Sequence, residues 1–266
     1  MIAALRYEWV RIRTLRSTWW ILGLSVLVPT GLAALLAANL QAADFSGYRD
    51  VVTAAVLTQG AVLGFPLLVS YLTALIGVFA FGHEYRHGMI RATLTSVPRR
   101  PAVLVAKVMV TAVAVALGAL GSSLAALLVG AALSGGLVDM GATVTWQVIG
   151  GIVGYCTMFA LTGLALAAIF RNQIAALVTV LLAPSVLEQV LSAVLTIPES
   201  LNSVEFLTRY LPFDAGTQLY KPADVFNVGD FFGPKPLEPL SGGLVMLIFT
   251  ILLLAVTFVL FAERDA

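Results

Sequence analysis

Charge is the scarcest feature of this sequence. Acidic and basic residues together fill 11 % of its 266 positions, against 60 % hydrophobic ones. A soluble domain carries about a quarter charged residues, so a water-exposed surface cannot be built from this chain. The net charge of +1 excludes a general electrostatic case for nucleic-acid binding. One cysteine, Cys156, rules out an intrachain disulfide framework. It sits in an apolar run and reads as a small core residue. No G-x-x-x-x-G-K-[ST] run occurs, and no Gly-rich loop leads from a strand into a helix. A nucleotide site in this chain is therefore not expected, and any ATP used must bind another chain.

What is present is six long apolar runs. About 20 apolar residues cross a bilayer as a helix. The runs predict spans at about 19–40, 57–81, 102–133, 146–170, 174–197 and 241–261 of an all-α integral membrane protein. Trp19 and Trp20 fit an interfacial anchor at the start of the first. This run is longer than the apolar core of a signal peptide, the competing reading, and reads as an uncleaved anchor. Residues 1–18 are basic and amphipathic, with Ile2, Leu5, Trp9 and Ile12 at helical spacing among Arg6, Arg11, Arg13 and Arg16. They read as a helix on an anionic membrane surface, or as a plain positive flank to the first span. Gly60, Gly64 and Pro66 in the second run, and Pro184 in the fifth, are sites for a kink or close packing.

Counting bases sets the orientation. With the N-terminus inside, the inner segments hold Arg6, Arg11, Arg13, Arg16, Arg86, Arg91, Arg99, Arg100, Lys107, Arg171 and Arg264. The outer ones hold only Arg49, Arg209, Lys221 and Lys235. This is the positive-inside pattern. It puts both termini and the segment 82–101 in the cytoplasm, and the connection 198–240 outside.

The polar stretch FGHEYRHGMIRATLTSVPRRPAVLVAK, from Phe81 to Lys107, carries the chemistry, and two readings compete for it. His83-Glu84-Tyr85-Arg86-His87 matches H-E-x-x-H. On a helix, His83 and His87 share a face and could bind zinc, with Glu84 as general base of an integral-membrane metalloprotease. Gly88 weakens that helix, and no third ligand is evident on the same side. The second reading uses the whole stretch. Glu84, Arg86, Gly88, the turn Thr93–Thr95, Pro98, Arg99 and Lys107 follow one another as in the permease subunit of an ABC type-2 exporter, which the chain resembles over essentially its full length. Met89 stands where that family usually has Thr.

The resemblance implies a single permease domain with a coupling helix between spans two and three. That helix docks on a separate cytoplasmic ABC ATPase, which holds ATP and magnesium. The resemblance also implies a second permease copy or paralogue, a bacterial plasma (inner) membrane location and no enzymatic activity in this chain. Glu84, Arg86, Gly88, Arg91, Pro98 and Arg99 are its candidate coupling residues, with Glu84 and Arg86 expected to pair across the ATPase interface. Glu188 is the clear ionisable residue inside a span, about 21 Å along the fifth from Ile174. With Gln189 it is a candidate for the substrate path; the alternatives are that Glu188 makes a structural hydrogen bond with Gln189 or another helix, or reaches external water where the fifth span is broken. A membrane scaffold or sensor without transport is a third class, and it would have no ATPase partner. The substrate is not legible.

Overall fold

The computed structural model describes residues 2–40, 46–86, 100–196, 206–221 and 236–263. Among these there are helices and turns and no strands. In order, α1 is Ile2–Thr14, α2 Arg16–Leu40, α3 Arg49–Leu57, α4 Leu68–Arg86, α5 Arg100–Leu133, α6 Thr143–Phe170, α7 Gln173–Leu182, α8 Glu188–Thr196, α9 Pro212–Thr217 and α10 Pro239–Glu263. Six stretches are long and apolar enough to cross a membrane, namely α2, α4, α5, α6, the α7–α8 run and α10. The chain is an all-α integral membrane protein.

Burial sorts the six spans. The apolar windows of spans two, three and four are 56–61 % buried, whereas those of spans one, five and six are 22–28 % buried. The first group forms the core and the second turns its apolar faces outward. Leu244, Ile248, Ile251 and Leu252 on span six are exposed, as are Val178, Val190 and Val194 on span five. Such faces belong in hydrocarbon, where no hydrophobic force drives helices together and close backbone approach does the packing instead. Gly77 of span two shows this. A Cβ there would overlap the Ala160 carbonyl of span four.

The structure revises the second span. A continuous helix from residue 57 is expected, but α3 stops at Leu57 and the span begins at Leu68. Gln59, Gly60 and Gly64 between them have positive φ, a conformation that glycine accepts freely. The sequence Phe65–Pro66–Leu67 follows, and Pro66 lacks an N–H to extend the earlier helix. The 19 residues of α4 span about 28 Å, enough for the hydrocarbon core. The preceding connection is not a simple polar loop. Val52 to Ala61 are buried against the bundle, and Thr53 Oγ1 accepts from the Asp139 N–H at 3.2 Å.

The turn between spans four and five follows from its residues. Arg171 adopts φ 52° and ends α6. Asn172 then caps α7, its side chain accepting from the N–H groups of Ile174 and Ala175 at 2.9 and 3.2 Å. In span five, Pro184 lies in a π-helical stretch, Ala183–Leu187, between α7 and α8. Proline removes a donor from the helical ladder, and the wider turn absorbs the loss.

Candidate functional site

The start of span one, the end of span two, the start of span three and the end of span six meet at one end of the bundle. Phe81 contacts Phe261 edge to face at 5.5 Å. Here four charged side chains from three elements form a buried cluster. Lys107 of span three is 0 % exposed, and Glu8 of α1 and Glu84 of span two are each 1 % exposed. The Lys107 ammonium donates to Glu84 Oε1 at 2.5 Å and to the Ala80 carbonyl at 3.1 Å. It also pairs with Glu8 Oε1 at 2.7 Å and stands 5.1 Å from the centre of the Phe81 ring. Arg11 completes the set. Its Nε lies 2.8 Å from Glu8 Oε2, and its Nη1 donates to the same Ala80 carbonyl at 3.0 Å.

The cluster balances two carboxylates against two bases. Removing charges from water costs several kcal/mol per ion, which close pairing and hydrogen bonds must offset. That requirement explains its compactness. One ammonium bridges two carboxylates, and the guanidinium neutralises the excess acid. Glu84 Oε2 is buried without a hydrogen-bond partner among the described residues.

This geometry revises one expectation. Glu84 does not face outward to pair across an interface, because its carboxylate turns inward onto Lys107. Lys107, counted above among the bases of the inner segments, is fully enclosed. Glu8 and Arg11 were not singled out from the sequence as site residues. The available signal was Glu8 itself, a lone acid in a basic helix three residues before Arg11. An acid contributes little to orientation, so its presence there asks for a partner. The buried face of α1 is Ala4, Glu8 and Ile12, while Ile2 and Trp9 are exposed.

His83 stacks on Phe79 at 4.5 Å between ring centres. With Glu84 held by Lys107, the carboxylate that the H-E-x-x-H reading needs as a base is already committed. No group of three potential metal-ligating side chains occurs among the described residues. His87, Gly88, Arg91, Pro98 and Arg99 lie outside the described residues, and only the backbone of Arg86 is described, at the end of α4.

At the opposite end, Glu188 has a defined task. Helix α9 begins with Leu211 at its N-cap, a residue with no side-chain acceptor, and Pro212 at its first position. The next two amides need an acceptor. Glu188 supplies it from span five, taking the Phe213 N–H on Oε1 and the Asp214 N–H on Oε2, both at 2.8 Å. Glu188 is 7 % exposed. Of the three readings of Glu188, the hydrogen bond to another helix matches this geometry. Gln189 beside it is exposed. Glu188→Gln is expected to lower stability by about 1–3 kcal/mol, because an amide can accept one of the two N–H groups and sets its own donor against the other. Thermal unfolding of the purified variant measures this, and an unchanged midpoint would contradict it.

Helix α9 sits within the bundle. Phe213 packs edge to face on Phe159 of span four at 5.4 Å and on Phe249 of span six at 5.7 Å. Tyr220 meets Tyr155 at 5.2 Å. The backbone is received by glycines: a Cβ on Gly151 would overlap the Leu219 carbonyl, and one on Gly242 the Ala215 carbonyl. Burial raises the Asp214 carboxyl, with the Lys221 charge acting against the rise. Burial likewise lowers Lys221, with Asp214 acting against that shift.

The chain was compared with known proteins. No curated protein matches it. The family model described as ABC-2 family transporter protein matches residues 4–186, well over half of the chain. That stretch includes α1 from Ala4 onward, spans one to four and the Glu8–Arg11–Glu84–Lys107 cluster. This match places the chain in the ABC-2 family of transporter proteins, and its six candidate spans fit the membrane-spanning permease component of an ABC transporter.

Proposed function

We propose that this permease is the membrane subunit of an ATP-driven exporter and that a separate cytoplasmic ABC ATPase docks on the segment 82–101. Two permease domains, a second copy or a paralogue, would enclose the path. They would lie in a bacterial plasma membrane with both termini cytoplasmic, an orientation supported by the eleven bases against four counted above. ATP closes the ATPase pair, the closure pushes on the segment, and the spans rock between inward- and outward-facing states. Shifting such an equilibrium from 1:99 to 99:1 takes about 5.5 kcal/mol of differential binding.

The observation that carries this reading is the Glu84–Lys107 pair. It joins the end of span two to the start of span three, on either side of the polar connection 87–99. Force applied to that connection therefore enters two core spans through a closed ionic joint. In this account Arg86, Arg91 and Arg99 are the polar groups offered to the ATPase, Gly88 and Pro98 shape the segment, and Glu84 holds its root. Glu188 influences the path through the α9 amides it holds, and Gln189 beside it is a candidate lining residue.

A photo-crosslinking amino acid at Arg91 or Arg99, and at Thr217 as a control, tests the docking face in whole cells. Crosslinks from 91 and 99 to an ATPase chain, with none from 217, are expected. Crosslinks from 217 alone would place the partner at the wrong end and refute the assignment.

A further inference from the structure

The N-terminal helix is attached to the site at several points. Glu8 pairs with Lys107 of span three, and Arg11 donates to Ala80 of span two. Ile12 packs with Val110 and Ala114 of span three, with Leu5 against them. From Leu5 to Ile12 the helix rises about 10 Å. Contacts spread over that length resist pivoting as well as sliding. The ionic contacts resist both further, because moving α1 by one side-chain length would strand buried charges. Lys107 would keep Glu84 alone, and Glu8 and Arg11 would lose the enclosed site that balances them.

We propose that Glu8 is a positioning residue for energy coupling. Through Lys107 and Arg11 it fixes α1 to the root of the coupling segment, so that α1, the end of span two and the start of span three move as one body during the transport cycle. This rests on the exporter reading above. It differs from a purely stabilising role for Glu8 in what a covalent lock should do. If α1 and span three never separate, tying them together costs the cycle nothing.

The experiment uses the full chain with its co-purified ATPase in lipid nanodiscs, with ATP and vanadate as the probe. Cysteines replacing Ile12 and Ala114, members of one apolar cluster, are oxidised to make the lock, and loss of free thiol verifies that it has formed. The native Cys156 is fully buried and does not compete. ATP hydrolysis and trapping of the vanadate state are both measured per folded complex. The oxidised lock is expected to change each by no more than about twofold, the usual error of treating distant changes as independent. Glu8→Gln is expected to keep hydrolysis but reduce trapping by about fivefold or more, the scale of an ordinary coupling free energy. Oxidising the lock in the Glu8→Gln background should restore trapping.

Two results would overturn the inference while leaving the exporter reading in place. One is that the lock abolishes trapping and a reductant restores it, which would mean that α1 slides on span three. The other is that Glu8→Gln lowers the yield of folded complex while trapping per complex is unchanged, which would make Glu8 only structural. Should Glu8→Gln fail to fold, the lock in the unaltered background still decides. Absence of any ATPase from the unaltered preparation would instead remove the exporter reading, and this inference with it.

Discussion

Lys107→Met is expected to cost about 3–5 kcal/mol, the range for breaking a buried ion pair by removing one partner. For a protein whose whole stability is about 5–15 kcal/mol, that is a large share. The methionine fills much of the same space, so packing is not the main loss. The loss is electrostatic. Glu8 and Glu84, each 1 % exposed, are left with only Arg11 between them. An exposed pair would be worth about 0–1 kcal/mol, and burial makes the difference.

Adding Glu84→Gln to Lys107→Met should recover part of the loss. The remaining charges, Glu8 and Arg11, then balance at 2.8 Å. The double variant is thus expected to be more stable than Lys107→Met alone. Thermal unfolding of four proteins in one detergent, namely the unaltered chain, Lys107→Met, Glu84→Gln and the double variant, measures the cycle. Additive destabilisation would show that the four side chains are not coupled.

Gly151→Ala is the second large effect, at about 1–3 kcal/mol of overpacking. A Cβ at this position meets the Leu219 carbonyl, and backbone cannot swing aside as a side chain can. The segment carrying α9 must then lift from span four, weakening the Phe159–Phe213 and Tyr155–Tyr220 contacts. Gly150→Ala, one residue earlier on the same helix, meets nothing within 4 Å. It is expected to be neutral or slightly stabilising, since alanine suits a helix interior better than glycine. Unfolding midpoints for the pair, with limited proteolysis near residue 217, read both effects. Equal behaviour of the two variants would contradict the close approach of Leu219.

The sequence makes some of this legible and hides the rest for identifiable reasons. Five of the six spans fall where hydropathy predicts, because about 20 apolar residues in lipid can satisfy their backbone only as helix. The π-helical stretch at Pro184 and the turn at Arg171–Asn172 are local effects of single residues. The late start of span two is not visible to hydropathy, since residues 57–67 are as apolar as the span itself. The glycines and Pro66 were evident there, but not that they separate two helices. The side of α1 that packs on the bundle is hidden from hydropathy as well. Ile2 and Trp9 recur at helical spacing, yet an interior that contains Lys107 selects Glu8 for the buried side. Glu188 was legible as a costly charge in a span, but its partners, the N–H groups of Phe213 and Asp214, lie 25 and 26 residues away. No spacing rule reaches across a connection of that length.

The most direct test is to isolate the chain gently from its native membranes and identify what accompanies it by mass spectrometry. A cytoplasmic ABC ATPase in stoichiometric amount is predicted. It should be lost when Arg86, Arg91 and Arg99 are replaced together, while the permease itself stays folded. A folded permease that emerges without any ATPase, or that keeps its ATPase after those three replacements, would contradict the account of the 82–101 segment as the docking site.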